Sequence, residues 1–191
     1  MYKLMKIEDT VRIPPKLFSE NLEKSVIEAL RQQYEGFISK KTGVIVAVTK
    51  ADEIAPGKII LGDGATYHKV KFEALVFKPE LHEIVRGKVN DITEFGAFIR
   101  FGPIDGLVHV SQVTDDFMSY NPKTGALSGK QSKKSLKKDD IVLARITAIS
   151  LKDKITDSKI NLTMRQEGLG KKEWLKKKKT TEKNKKKGGK K

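Results

Sequence analysis

The glycines between Val85 and Ser111 constrain this chain more than any other feature. Val85, Gly87 and Val89 alternate with Arg86 and Lys88, the period of a half-buried strand. Gly96 stands between Phe95 and Phe98, where a bulge would let two rings three residues apart point the same way. Gly102-Pro103 and Asp105-Gly106 mark tight turns ahead of Leu107-Val108-His109-Val110. Farther on, Ile141, Leu143, Arg145 and Thr147 oppose Val142, Ala144, Ile146 and Ala148, and Ile160 and Leu162 open a last strand. Five short strands turning at glycine corners predict a small closed barrel over residues 80–165.

Residues 1–79 read differently. Met5, Ile7, Val11 and Ile13 share one parity, with Lys6, Glu8, Thr10 and Arg12 on the other, so a strand runs up to Pro14-Pro15. Ser19 is the expected N-cap of a helix whose Leu22, Val26, Ala29 and Leu30 form one apolar stripe, with Gly36 as its stop. Three strands follow, at Val44–Val48, Lys58–Leu61 and Ala65–Phe77, which gives a small antiparallel α+β domain in the order β-α-β-β-β. From Leu75 and Phe77 onward both faces of the last strand turn apolar, so its end should be covered on both sides, by a second domain or another chain. Gly62-Asp63-Gly64 lies in a loop where both glycines can take a positive φ.

The barrel pattern resembles an S1 domain of the OB type, matching it in Gly87-x-Val89, Phe95-Gly96-x-Phe98 and Gly106-Leu107-Val108-His109-x-Ser111. The resemblance implies that Phe95, Phe98 and His109 form an exposed face on which single-stranded RNA lies. Bases stack on aromatic planes without regard to sequence, and Lys88, Arg100, Arg145 and Lys159 are the cations expected nearby for the phosphates. The competing readings are core positions for both phenylalanines and a turn-stabilising hydrogen bond for His109. Between Gln112 and Asp140 the chain departs from the minimal pattern, with six lysines and no acid over residues 123–138. A solvated loop is the default there, and a second phosphate contact is the sharper option.

Charge and composition narrow the function. The net charge of +15 is uneven, because residues 166–191 carry 12 Lys against 3 Glu and so form an expected disordered basic tail. The absence of cysteine excludes disulfides, thiolate zinc sites and thiol catalysis. No membrane span and no signal peptide are recognisable, which suggests a soluble, cytoplasmic protein. Gly62-Asp63-Gly64 fails as a dinucleotide fingerprint because Tyr67 replaces the third glycine and a strand follows; Gly125 to Lys130 is one residue short of a phosphate loop. The paired carboxylates Asp52-Glu53, Asp115-Asp116 and Asp139-Asp140 are sequence neighbours, poorly arranged for acid–base work. No catalytic residue, metal or cofactor is expected.

Taken together, the two halves resemble a narrower family. An RNP-like α+β domain with Pro14-Pro15, a helix to Gly36, the Gly62-Asp63-Gly64 turn and Val76-Phe77-Lys78-Pro79, followed at once by an S1 barrel, is similar to the E-prime component of archaeal RNA polymerase and its counterpart, the seventh subunit of eukaryotic polymerase II. That resemblance implies a non-catalytic stalk subunit, paired as a heterodimer with a small helical partner (F in archaea). It implies docking to the polymerase core through the loop of Gly62, Asp63 and Gly64, and a barrel facing the emerging transcript. Leu75 and Phe77 are the expected contacts with the small helical partner. The alternative is a free-standing S1 protein of translation or RNA decay.

Overall fold

The computed structural model describes residues 1–174 apart from 20, 153, 155 and 156. The described residues divide into two compact units, one formed by Met1–Lys78 with Leu151–Ser158 and one by Pro79–Ser150 with those from Lys159 on. Most of the lysine-rich tail lies outside the described residues.

In the first unit, β1 (Tyr2–Ile13) runs up to Pro14 and α1 (Leu22–Tyr34) follows. The remaining strands are β2 (Ile38–Ser39), β3 (Gly43–Ile54), β4 (Lys58–Ile59) and β5 (Thr66–Phe77). The strand order is β1-β5-β3-β2, with β4 also on β5, and every pairing is antiparallel. The helix lies against β1 and β3, so Val26, Ala29, Leu30 and Tyr34 share a core with Val11, Ile13, Val70, Phe72, Ala74 and Val76. Its cap differs from expectation. Asn21, not Ser19, accepts the Lys24 amide at 3.3 Å, while the Ser19 hydroxyl donates to the Asn21 carbonyl at 2.8 Å. Leu22, expected in the apolar stripe, lies exposed at the start of the helix, off the buried face.

β3 runs six residues past the expected Val48, and two of its three register shifts against β5 fall in that extension. Each shift breaks the two-residue period, which is why Thr49–Ile54 does not read as strand in the sequence. β4 ends at Ile59, leaving Ile60 and Leu61 outside it and exposed. Gly62 has φ +89° but Gly64 does not have a positive φ, so only one of the two loop glycines needs the left-handed region.

The second unit contains β6 (Ile84–Thr93), β7 (Gly96–Phe101), β8 (Ile104–His109), β12 (Ile141–Ser150) and β13 (Lys159–Thr163). The order β13-β8-β7-β6-β12, closed by the pairing of β12 with β13, makes the expected five-stranded barrel. Its interior is filled by inward residues such as Val89, Ile99, Val108, Ala144, Ile146 and Leu162. Gly87 and Gly96 are forced by crowding: a Cβ at Gly87 would run into Ile99, and one at Gly96 into the Val108 carbonyl. The bulge is on β6, between Val89 and Asp91, and not at Gly96, which opens β7 directly after the Glu94-Phe95 turn.

Residues 113–140 are not a solvated loop. They form a three-stranded antiparallel sheet of β9 (Met118–Asn121), β10 (Ala126–Gly129) and β11 (Ser135–Leu136). Val113, Met118, Ala126, Leu127 and Leu136 are buried beneath it. Beyond residue 166, where a tail was expected, β14 (Gly170–Lys171) pairs with β12. Lys171 is ion-paired to Asp140 at 2.9 Å, with both side chains less than a fifth exposed.

Candidate nucleic-acid interface

The alternation that fills the barrel also puts a second set of side chains outside it. Phe98 on β7 faces Leu107 on β8, and Leu107 in turn neighbours Asn161 on β13. Phe95 sits on the β6–β7 turn and is 51% exposed, with its ring centroid 6.0 Å from that of Phe98 and the two planes perpendicular. Phe98 is half-buried, so neither ring belongs to the closed interior. An open edge-to-face pair leaves aromatic surface on which a base could stack.

His109 ends β8 and is exposed. Its Nδ1 accepts the Ser111 amide at 3.3 Å and lies 2.8 Å from the Ser111 hydroxyl. Accepting from an amide leaves Nδ1 without a proton in the neutral ring, so Nε2–H is the donor left for a ligand. The turn-stabilising role and an outward donor therefore coexist. His109, Leu107, Gln112, Thr147 and Asn161 line a concavity of about 580 Å³ on the outside of the barrel. The Gln112 side chain is fixed by accepting from the Thr163 hydroxyl at 2.9 Å. Gln112, Thr147 and Asn161 escaped the sequence reading; the outward parity of β12 and β13 was the signal that marks Thr147 and Asn161.

The four expected cations separate into two pairs. Lys88 is bound to Asp139 at 2.8 Å, which holds that carboxyl below the usual carboxylate range. Arg100 donates through Nε to Asp105 at 2.9 Å, and this keeps its guanidinium still more firmly protonated. Both charges are partly compensated before any ligand arrives. Lys159 and Arg145 have no carboxylate within ion-pair distance among the described residues, and the Arg145 Nε is buried without a hydrogen-bond partner. Among the described residues no cluster of three His, Asp or Glu could hold a metal ion, and no helix is long and apolar enough to cross a membrane.

The residues expected for docking and pairing lie in the first unit. Asp63 accepts from Arg12 Nε at 2.9 Å, Arg12 Nη2 at 2.8 Å, the Tyr67 hydroxyl at 2.6 Å and the Ala65 amide at 3.1 Å. Its carboxylate is engaged within the loop, and the Arg12 guanidinium, then the Tyr67 hydroxyl, hold it far below the usual carboxylate range. The groups the loop offers outward are instead Ile59, Ile60 and Leu61, which are 76%, 52% and 102% exposed. Leu75 is half-buried, and Phe77 is buried with its ring 4.9 Å from Tyr2 in an edge contact. The apolar surface left on that side of the sheet belongs to Tyr2 and Leu4, which pair in register with Phe77 and Leu75.

Comparison with known proteins agrees with both halves. Residues 8–64 match the SHS2 domain found in the N terminus of Rpb7p and Rpc25p, and residues 78–158 match the S1 RNA binding domain. DNA-directed RNA polymerase subunit Rpo7 of Sulfolobus acidocaldarius is 42% identical over 175 residues, covering 92% of this chain and 95% of that protein. The Rpo7 of Saccharolobus solfataricus is 42% identical over 177 residues, covering 92% of this chain and 97% of its own length. DNA-directed RNA polymerase II subunit 7 of Arabidopsis thaliana is 31% identical over 110 residues, covering 58% of this chain and 62% of that one.

Proposed function

Because the chain belongs to the Rpo7 family of DNA-directed RNA polymerase subunits, we propose that it is a non-catalytic stalk subunit that holds the emerging transcript on its S1 barrel. The observation that carries the reading is the open pair of Phe95 and Phe98 beside the concavity at His109. Stacking on exposed rings is sequence-tolerant, as a subunit meeting every transcript requires. Lys159 and Arg145 supply charge for the phosphates, with Lys88 and Arg100 able to exchange a carboxylate for a phosphate.

Docking to the polymerase core falls to the loop around Gly62, Asp63 and Gly64. Asp63 braces it, and Ile59, Ile60 and Leu61 provide apolar surface that the core would bury. Pairing with a small helical subunit falls to the sheet face of Tyr2 and Leu4 next to Leu75, with Phe77 beside Tyr2 in an edge contact. The other reading, a free-standing S1 protein of translation or RNA decay, leaves the first unit without a role, although its match to the polymerase SHS2 domain covers residues 8–64.

Photocrosslinking tests the proposal. A transcript carrying a photoreactive nucleotide just outside an assembled polymerase should crosslink to peptides holding Phe95, Phe98 or His109. Crosslinks confined to other subunits, with this chain present, would refute it.

A further inference from the structure

The sheet of β9 to β11 carries positive charge that no described carboxylate neutralises, although the Lys134 ammonium lies 5.5 Å from the Trp174 ring centre. Lys123, Lys130, Lys133, Lys134, Lys137 and Lys138 have no carboxylate within ion-pair distance among the described residues. The neighbouring acids are already engaged: Asp115 with Arg165, Asp139 with Lys88 and Asp140 with Lys171. Asp116 is spent on architecture, accepting from the Gln131 amide at 3.0 Å and from the Ser132 amide and hydroxyl, each at 2.8 Å.

That clasp fixes the β10–β11 turn, and the turn presents three of the lysines. Lys133 sits there at φ +53°, a conformation that glycine adopts more easily, yet the position holds a cation. Next to the turn stands Phe117, 68% exposed, with the Lys130 ammonium 4.7 Å from its ring centre. An ammonium over one face of a ring whose remaining surface is open combines a phosphate contact with a stacking platform. The clustered lysines alone would suit any polyanion; the exposed aromatic among them favours a single strand with unstacked bases.

We propose that the β10–β11 turn and Phe117 form a second RNA contact, which takes up the single strand beyond the barrel. This rests on the reading that the barrel itself binds single-stranded RNA. Position supports it: Phe117 follows Gln112, a wall of the concavity, by only five residues, a reach of at most about 18 Å. A strand a few nucleotides longer than the barrel site is therefore long enough to reach the turn.

The test compares the full chain with two variants, Lys130→Gln/Lys133→Gln and Lys133→Gly, on single-stranded RNAs of about four and about twelve nucleotides at several salt concentrations. Lys133→Gly relieves the left-handed backbone, so it should fold at least as stably as the native chain while losing the charge. The short RNA should bind all three proteins alike. For the long RNA, the double variant should flatten the slope of log affinity against log salt by about 1.4, two phosphates' worth. The native advantage should then be about sevenfold larger at 50 mM than at 200 mM salt. Unchanged slopes on the long RNA would overturn the proposal. So would equal losses on both lengths, or a loss seen only with duplex RNA or an acidic peptide. Failure of the native chain to bind the short RNA would instead count against the barrel reading, and the long-RNA slopes would still decide the second contact.

Discussion

Among individual residues, the two rings and one carboxylate define the testable chemistry. Phe95 and Phe98 lie outside the packed interior, so Phe95→Ala with Phe98→Ala should leave the barrel folded. Single-stranded RNA binding should weaken by about 1–3 kcal/mol for each stack lost, measured by titration beside a thermal melt. Unfolding of the double variant would make the rings core residues and end the stacking claim. Asp63 offers a pH signature. Its folded-state pKa is depressed by Arg12 and Tyr67, so its contribution is fully present above the unfolded value of about 4 and fades as pH falls through the folded value. Asp63→Asn should therefore lower Tm at neutral pH, and the gap to the native chain should shrink as the solution becomes strongly acidic. A gap of constant size across that range would show that the carboxylate charge is not what the loop depends on.

Among the elements, β14 separates fold from tail. Truncation after Gly168 removes β14 and leaves Asp140 without Lys171, which should cost about 1–3 kcal/mol in denaturant unfolding. Truncation after Trp174 keeps β14 and the Lys171–Asp140 pair, so that chain should be the more stable of the two, and equal stabilities would mean that β14 contributes none. The element scale also shows what was legible in advance. The barrel strands could be read because inward residues alternate cleanly and Gly87 and Gly96 stand where no Cβ fits. The sheet of β9–β11 could not, because its core is Val113, Met118, Ala126, Leu127 and Leu136, scattered among lysines and turn residues with no period to follow. β14 was hidden for a similar reason: two residues inside a lysine-rich run gain their order from β12, a partner remote in sequence. In the candidate site, Phe95, Phe98 and His109 could be proposed from their motif, whereas Gln112 joins the concavity with its side chain held by Thr163, 51 residues away.

The whole molecule belongs to the Rpo7 family, and the proposed docking can be tested apart from the proposed RNA binding. Gly62 sits at φ +89° with nothing within 4 Å of an added Cβ, so Gly62→Val should distort the loop through its backbone alone. Association with the polymerase core should fall, while RNA affinity of the isolated chain stays unchanged. Normal core association by that variant would remove this loop from the docking surface. The measurement that reaches the central claim most directly is co-purification. The full chain, tagged and recovered from a native extract at moderate salt, should bring down the large subunits of DNA-directed RNA polymerase together with one small helical chain. Recovery of ribosomal or nuclease components in their place, with no large polymerase subunit, would contradict it.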